Sequence, residues 1–235
     1  MKLCALSTTK GMIVHMNKQD IISILEKICK KSEVGFRGYV IGGSALTIYG
    51  IQEGTKDIDI IFKNVEDRRI FINLAKNAGF KLSNEVIEIA LKTDSEKAVQ
   101  INKDDVSIDL FIKVTTHFCL TDSIENRSSL ILEMPNNTNM YSLCPQDILI
   151  YKSATGRKSD TLVANNIIQN IDINWKVVSE EIQNQLLEGM NRAAYDFLEL
   201  IQDQKIYEQV PKEILLDLFN MLGSRVEILK QCCLF

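Results

Sequence analysis

The chain has 235 residues, 46% of them hydrophobic, and a net charge of −4. That length and composition suffice to bury a full core as one large domain or two small ones, without disulfide or metal staples. The acidic balance excludes strong, nonselective nucleic-acid binding, so any such contact is expected to be focal.

No apolar run approaches the roughly 20 residues that cross a bilayer, and Met1 to Lys10 holds too short a hydrophobic stretch for a signal peptide. A cytoplasmic protein with no membrane partner is therefore expected. Periodic patterning starts only after Asn17, so residues 1–15 are expected to be disordered, with Met12 and Met16 as alternative starts. The cysteines, Cys4, Cys29, Cys119, Cys144, Cys232 and Cys233, form no Cys-x-x-Cys pair and predict buried, reduced thiols. His15 and His117 lie far apart and support neither a histidine metal site nor a Ser-His or Cys-His nucleophile.

Apolar residues at Ile21, Ile22, Leu25, Ile28 and Cys29 recur at helical spacing and predict an amphipathic helix over 18–31. Tyr39 to Ile41 reads as a short buried strand, Gly42-Gly43 as a tight turn, and Ser44 to Tyr49 as a short helix closed by Gly50. Lys56 to Phe62 alternates, which puts Asp57 and Asp59 on one face of a strand and Ile58 and Ile60 on the other. A surface helix is predicted over 65–78, then strands at Ala98 to Ile101 and Val106 to Ile112 around a turn at 102–105. A further hairpin spans 129–143, interrupted at Pro135-Asn136-Asn137.

Pro145 suits the first turn of a helix, and Asp147 is favourable near its positive end. From there the pattern is helical: 145–155, 159–171, 174–204 with Gly189 as a weak point, and 212–230. The last carries the stripe Ile214, Leu215, Leu218, Leu222, Val226 and Leu229. The expected fold class is α/β (α+β): a mixed sheet flanked by helices over 16–144, followed by a helical domain over 145–235.

Three carboxylates stand out. An Asp-x-Asp on one strand presents two carboxylates side by side, and Asp109 on a neighbouring strand completes a cluster if the strands pair. Carboxylates embedded in core-like strands are costly unless paired or coordinating a cation. Two metal ions about 4 Å apart, held by such a cluster, serve phosphoryl chemistry. For any single aspartate, a strand-end charge facing water is the better explanation. Three of them behind a glycine turn shift the balance. Gly42 and Gly43 allow close backbone approach, and the amides that open the next helix suit phosphate oxygens, although Gly-Gly-Ser alone is more often simply a turn.

Ile41-Gly42-Gly43, thirteen intervening residues, Asp57-Ile58-Asp59-Ile60 and a later Asp109 resemble the signature of the polymerase-beta-like nucleotidyltransferase superfamily. The longer run from Tyr39 to Leu46 and from Gly54 to Asp59 is similar to its small prokaryotic members, many associated with toxin–antitoxin pairs. Asp147 to Asp160 is similar to the helix that follows the sheet in that group. The resemblance covers roughly 36–165.

It implies a nucleotidyltransferase fold and transfer of a nucleotide from a nucleoside triphosphate to an acceptor hydroxyl, with Mg²⁺ or Mn²⁺ as cofactor. Asp57, Asp59 and Asp109 would ligate metal, and Asp109 would help deprotonate the acceptor. Gly42, Gly43, Ser44, Thr55, Lys152 and Arg157 would bind the triphosphate, with Asp160 orienting Lys152 or Arg157. Implied partners are an acceptor RNA or protein and a cognate antitoxin, the chain itself being the toxin. One departure is visible: an arginine often precedes the Asp-x-Asp, whereas this chain has Gln52-Glu53-Gly54. Without the resemblance, Lys152, Arg157 and Lys158 read first as a solvated helix end. The alternative function is a noncatalytic module of the same fold that binds nucleotide or a partner.

Overall fold

The computed structural model describes residues 15–83, 97–203 and 206–222. The expectations for residues 1–14, and for the helix beyond 222, lie outside them. Helix α1 (Lys18–Cys29) starts where Asn17 and Asp20 form a reciprocal capping box: Asn17 Oδ1 accepts the amides of Gln19 and Asp20, and Asp20 accepts that of Asn17. Strand β1 (Phe36–Ile41) runs straight into α2 (Gly42–Tyr49). The predicted glycine turn is thus absorbed into a strand-to-helix junction, with Ile41 as N-cap and Gly42 at φ +64°.

Then follow β2 (Asp57–Phe62), α3 (Val65–Asn77), β3 (Lys81–Leu82), β4 (Val99–Lys103) and β5 (Val106–Ile112). The short pair β6 (Val114–Thr115) and β7 (Phe118–Cys119) and helix α4 (Asp122–Arg127) were not expected from the sequence. The predicted hairpin is β8 (Ser129–Met134) and β9 (Thr138–Ser142).

The strands order as β3-β4-β5-β2-β1-β9-β8, with β6 and β7 extending from β5. β2 lies antiparallel to β1 but parallel to β5, and β1 lies parallel to β9, so the sheet is mixed. Ile58, Ile60 and Phe62 are fully buried, and α3 covers their face, where Phe71 packs against Phe36 and Phe62. Each such side chain contributes roughly 1.5–3 kcal/mol by leaving water. The approach to β2 is pinned as well: Met16 and Thr55 exchange both backbone hydrogen bonds, at 2.7 and 3.0 Å.

The remainder of the described chain is helical: α5 (Pro145–Thr155), α6 (Lys158–Asn170), α7 (Trp175–Leu187), α8 (Ala193–Asp203) and α9 (Lys212–Met221). The single helix predicted over 174–204 is two. Gly189, at φ +87°, enters the left-handed region, and its amide and that of Met190 turn back to Leu186 and Gln185, which closes α7. Helix α5 packs on α2, β7, α6, α7 and α8, so one hydrophobic core runs continuously across residue 145. Cys29 and Cys119 are buried and Cys144 partly so; all three are free thiols, and burial pushes Cys29 up to about 12. Among the described residues no helix is long and apolar enough to cross a membrane.

Candidate active site

Strand register creates the site. β2 and β5 run parallel with Asp59 opposite Asp109, and β5 and β4 run antiparallel with Asp109 opposite Gln100. Cross-strand partners point to the same face, so Gln100, Asp109 and Asp59 form one rung. Asp57, two residues before Asp59, joins that face opposite Ser107. Gly42 is required beside the rung: a Cβ there would stand 2.5 Å from Asp59 Oδ2, in addition to the positive φ.

These carboxylates form a wall of a polar cavity of about 310 Å³. The rest of the lining includes Gly43, Gln52, Phe111, Thr115, Thr116, Tyr151, Lys152, Arg157 and Asp160. Helices α5 and α6 bring the cations over the sheet. Lys152 Nζ pairs with Asp160 Oδ1 at 2.8 Å, both largely buried, and Thr155 donates to the other Asp160 oxygen. A wider surface depression of about 460 Å³ between α7 and α9 gathers no comparable opposition of carboxylates and cations.

Seven residues singled out from the sequence line the cavity: Gly43, Asp57, Asp59, Asp109, Lys152, Arg157 and Asp160. Gly42, Ser44 and Thr55 are not among the lining residues. Ser44 is fully buried; its hydroxyl donates to Ile41 O at 2.9 Å and accepts the Asp59 amide at 3.2 Å. Thr55 donates to Asp57 O at 3.0 Å. Both hydroxyls therefore hold the Asp-x-Asp strand, and Thr55 also reaches the Asp57 carboxylate at 3.4 Å. Gln52 fills part of the wall near Gly43, with its amide anchored on Gly54 O.

Burial raises the Asp59 carboxyl to about 7, and the nearby charges of Asp57 and Asp109 push the same way against Lys152 and Arg157. Asp109 is raised too, by burial first, while the hydrogen bond from Gln100 opposes the shift and Asp57 adds to it. Tyr151, the cavity phenol, is pushed up by burial and then by Asp59 and Asp160. A wall of neighbouring carboxylates favours a cation, and its all-oxygen donors suit a hard divalent ion such as Mg²⁺ or Mn²⁺. Among the described residues, however, no three His, Cys, Asp or Glu side chains are already gathered around one ion position. The donor set fits such a metal by chemistry and by adjacency on the sheet.

No protein-family model matches the chain, and no curated protein matches it. One solved structure, described as a "putative nucleotidyltransferase from H. pylori", aligns over 92% of this chain and 96% of that chain at 12% identity, with a TM-score of 0.41.

Proposed function

We propose that this chain is a metal-dependent nucleotidyltransferase that moves a nucleoside monophosphate from a nucleoside triphosphate to an acceptor hydroxyl. One observation carries the proposal: three carboxylates on adjacent strands share a single polar cavity with Lys152 and Arg157. Asp57, Asp59 and Asp109 would hold Mg²⁺ or Mn²⁺, which when bound neutralises triphosphate charge. Lys152 and Arg157 would offer positive charge to phosphate oxygens, with Asp160 paired to Lys152 at 2.8 Å. The acceptor oxygen attacks the α-phosphorus, the bond from α-phosphorus to its bridging oxygen breaks, and pyrophosphate leaves. The acceptor proton would pass to Asp109, the carboxylate of the neighbouring strand.

The favoured acceptor is an RNA 3′ end or a protein side chain, and the sequence resemblance supports a toxin role with a cognate antitoxin as partner. A second reading, a noncatalytic nucleotide- or partner-binding module, draws support from two features. The carboxylates are not gathered around one ion position, and Lys152 is already engaged by Asp160.

Incubation with each of four α-labelled nucleoside triphosphates, Mg²⁺, and separated RNA and protein fractions tests the first reading, beside an Asp57→Asn control. Label should enter one fraction and fall by about 1,000-fold in the control. An equally active control would remove the carboxylates from the mechanism, and bound but untransferred nucleotide would favour the noncatalytic module.

Lys152→Ala should raise the dissociation constant for nucleoside triphosphate roughly 10–100-fold by calorimetry, since a charge-assisted contact is worth about 1.5–3 kcal/mol. It also strips Asp160 of its cation, so Lys152→Ala/Asp160→Asn should recover stability without recovering affinity. Unchanged affinity would return Lys152 to a purely structural pair.

A further inference from the structure

Asp109 is held from a direction that the sequence motif does not reach. On the side of β5 away from Asp59, Gln100 occupies the same rung, and its Nε2 donates to Asp109 Oδ1 at 2.9 Å. The two strands form an antiparallel hairpin closed at Asp104-Asp105, so Gln100 is carried on the element that also sets Asp109. Both side chains are half-buried, where a hydrogen bond to a charged group is strong and its direction is kept.

The residue type suits the task. A carboxamide donates to a carboxylate without changing the charge of the wall. A lysine at this position would neutralise Asp109, and a glutamate would repel it. With Oδ1 engaged by the amide, Oδ2 is the oxygen left for the acceptor or a metal. The bond also selects one rotamer of a side chain that otherwise faces two like charges.

We infer that Gln100 is a positioning residue: by donating to Asp109 Oδ1 it sets the orientation in which Asp109 serves metal binding and transfer. This rests on the function proposed above. Outer partners of metal-ligating carboxylates typically matter 10–100-fold in affinity or activity.

The test uses the full chain and Mn²⁺ as probe, with binding followed by electron paramagnetic resonance and transfer measured separately. Gln100→Leu should weaken Mn²⁺ binding about 10-fold and lower kcat about 10–100-fold, with KM for the nucleotide within about twofold. Gln100→His keeps an N–H at similar reach and should restore both to within about threefold of wild type. In an Asp109→Asn background Gln100→Leu should change Mn²⁺ binding no further, the coupling expected of a residue that acts through Asp109. Gln100→Met serves as the second apolar variant should the Leu variant fold poorly, judged by its thermal midpoint. Wild-type Mn²⁺ affinity and kcat in the folded apolar variants, or an undiminished effect in the Asp109→Asn background, would overturn the role of Gln100 while leaving the transferase reading intact. A wild-type protein that neither binds Mn²⁺ nor transfers nucleotide would overturn that reading and this inference with it.

Discussion

Arg127→Ala should destabilise the protein by about 3–5 kcal/mol, measured as a lowered midpoint in urea at unchanged slope. Arg127, at the end of α4, donates from one nitrogen to Asp147 Oδ1 and Glu181 Oε2, each at 2.7 Å. Both carboxylates are 0% exposed, whereas the Arg127 side chain keeps 27% of its surface. Around them Thr121, Ser123 and Gln185 donate to Glu181, and the Cys144 thiol donates to Asp147. Removing the guanidinium leaves two buried carboxylates without their shared cation.

Burial already lifts the Asp147 carboxyl, with Arg127 holding it down, so the truncated protein should take up a proton there. The loss should therefore shrink as pH falls. Adding Asp147→Asn and Glu181→Gln should recover much of the stability, because the uncompensated charge causes the damage. A loss below about 1 kcal/mol would put Arg127 among ordinary surface pairs. The consequence reaches the site: Asp147 is in the first turn of α5, the helix that carries Tyr151 and Lys152 to the cavity.

Asp59→Asn should divide stability from activity. Asp59 is held near pH 7 against 3.8 for the free side chain, by burial and then by Asp57 and Asp109. Between those values the native state keeps a proton that the unfolded chain has released. Stability is thus fully present below about 4 and is lost as pH rises through about 7. Asparagine stays neutral throughout. In chelator at pH 8 the variant should be more stable than wild type by roughly 2–4 kcal/mol, and at pH 4 the two should converge.

Mg²⁺ at pH 8 should raise the thermal midpoint of wild type more than that of the variant, since an ion bound only by the native state stabilises it. The same substitution should lower transfer about 1,000-fold. Parallel pH profiles for the two proteins in chelator would mean that another group carries the strain. Full activity in the variant would remove Asp59 from the metal site.

Much of the site's local geometry is legible in the residues. The alternation from Asp57 to Phe62 puts two carboxylates on one face whatever the strand's neighbours, and the strand is observed over those residues. Pro145 opens α5 where expected, and the turn between β8 and β9 falls at Pro135 to Asn137. Local reasoning also marked Gly189 as weak, yet did not break the helix there, because glycine alone does not reveal that φ will become positive.

What no local pattern carries is adjacency across the chain. The parallel pairing of β2 with β5 sets Asp59 beside Asp109, fifty residues apart, and the hairpin register then adds Gln100. The hydroxyls of Ser44 and Thr55, which a linear motif presents only as polar groups, bond Ile41, Asp57 and the Asp59 amide in the fold. Gln52, Phe111 and Tyr151 reach the cavity only because the sheet and α5 meet there. The Arg127 clamp joins α4, α5 and α7 across 20 and 54 residues, a separation with no periodic trace. The sequence by itself determined which side chains share a strand face or a helix turn, because backbone geometry alone dictates those periods. Only the tertiary structure decided which carboxylates become neighbours and which backbone groups the hydroxyls bond, because strand order and helix docking are set by burial of the whole core.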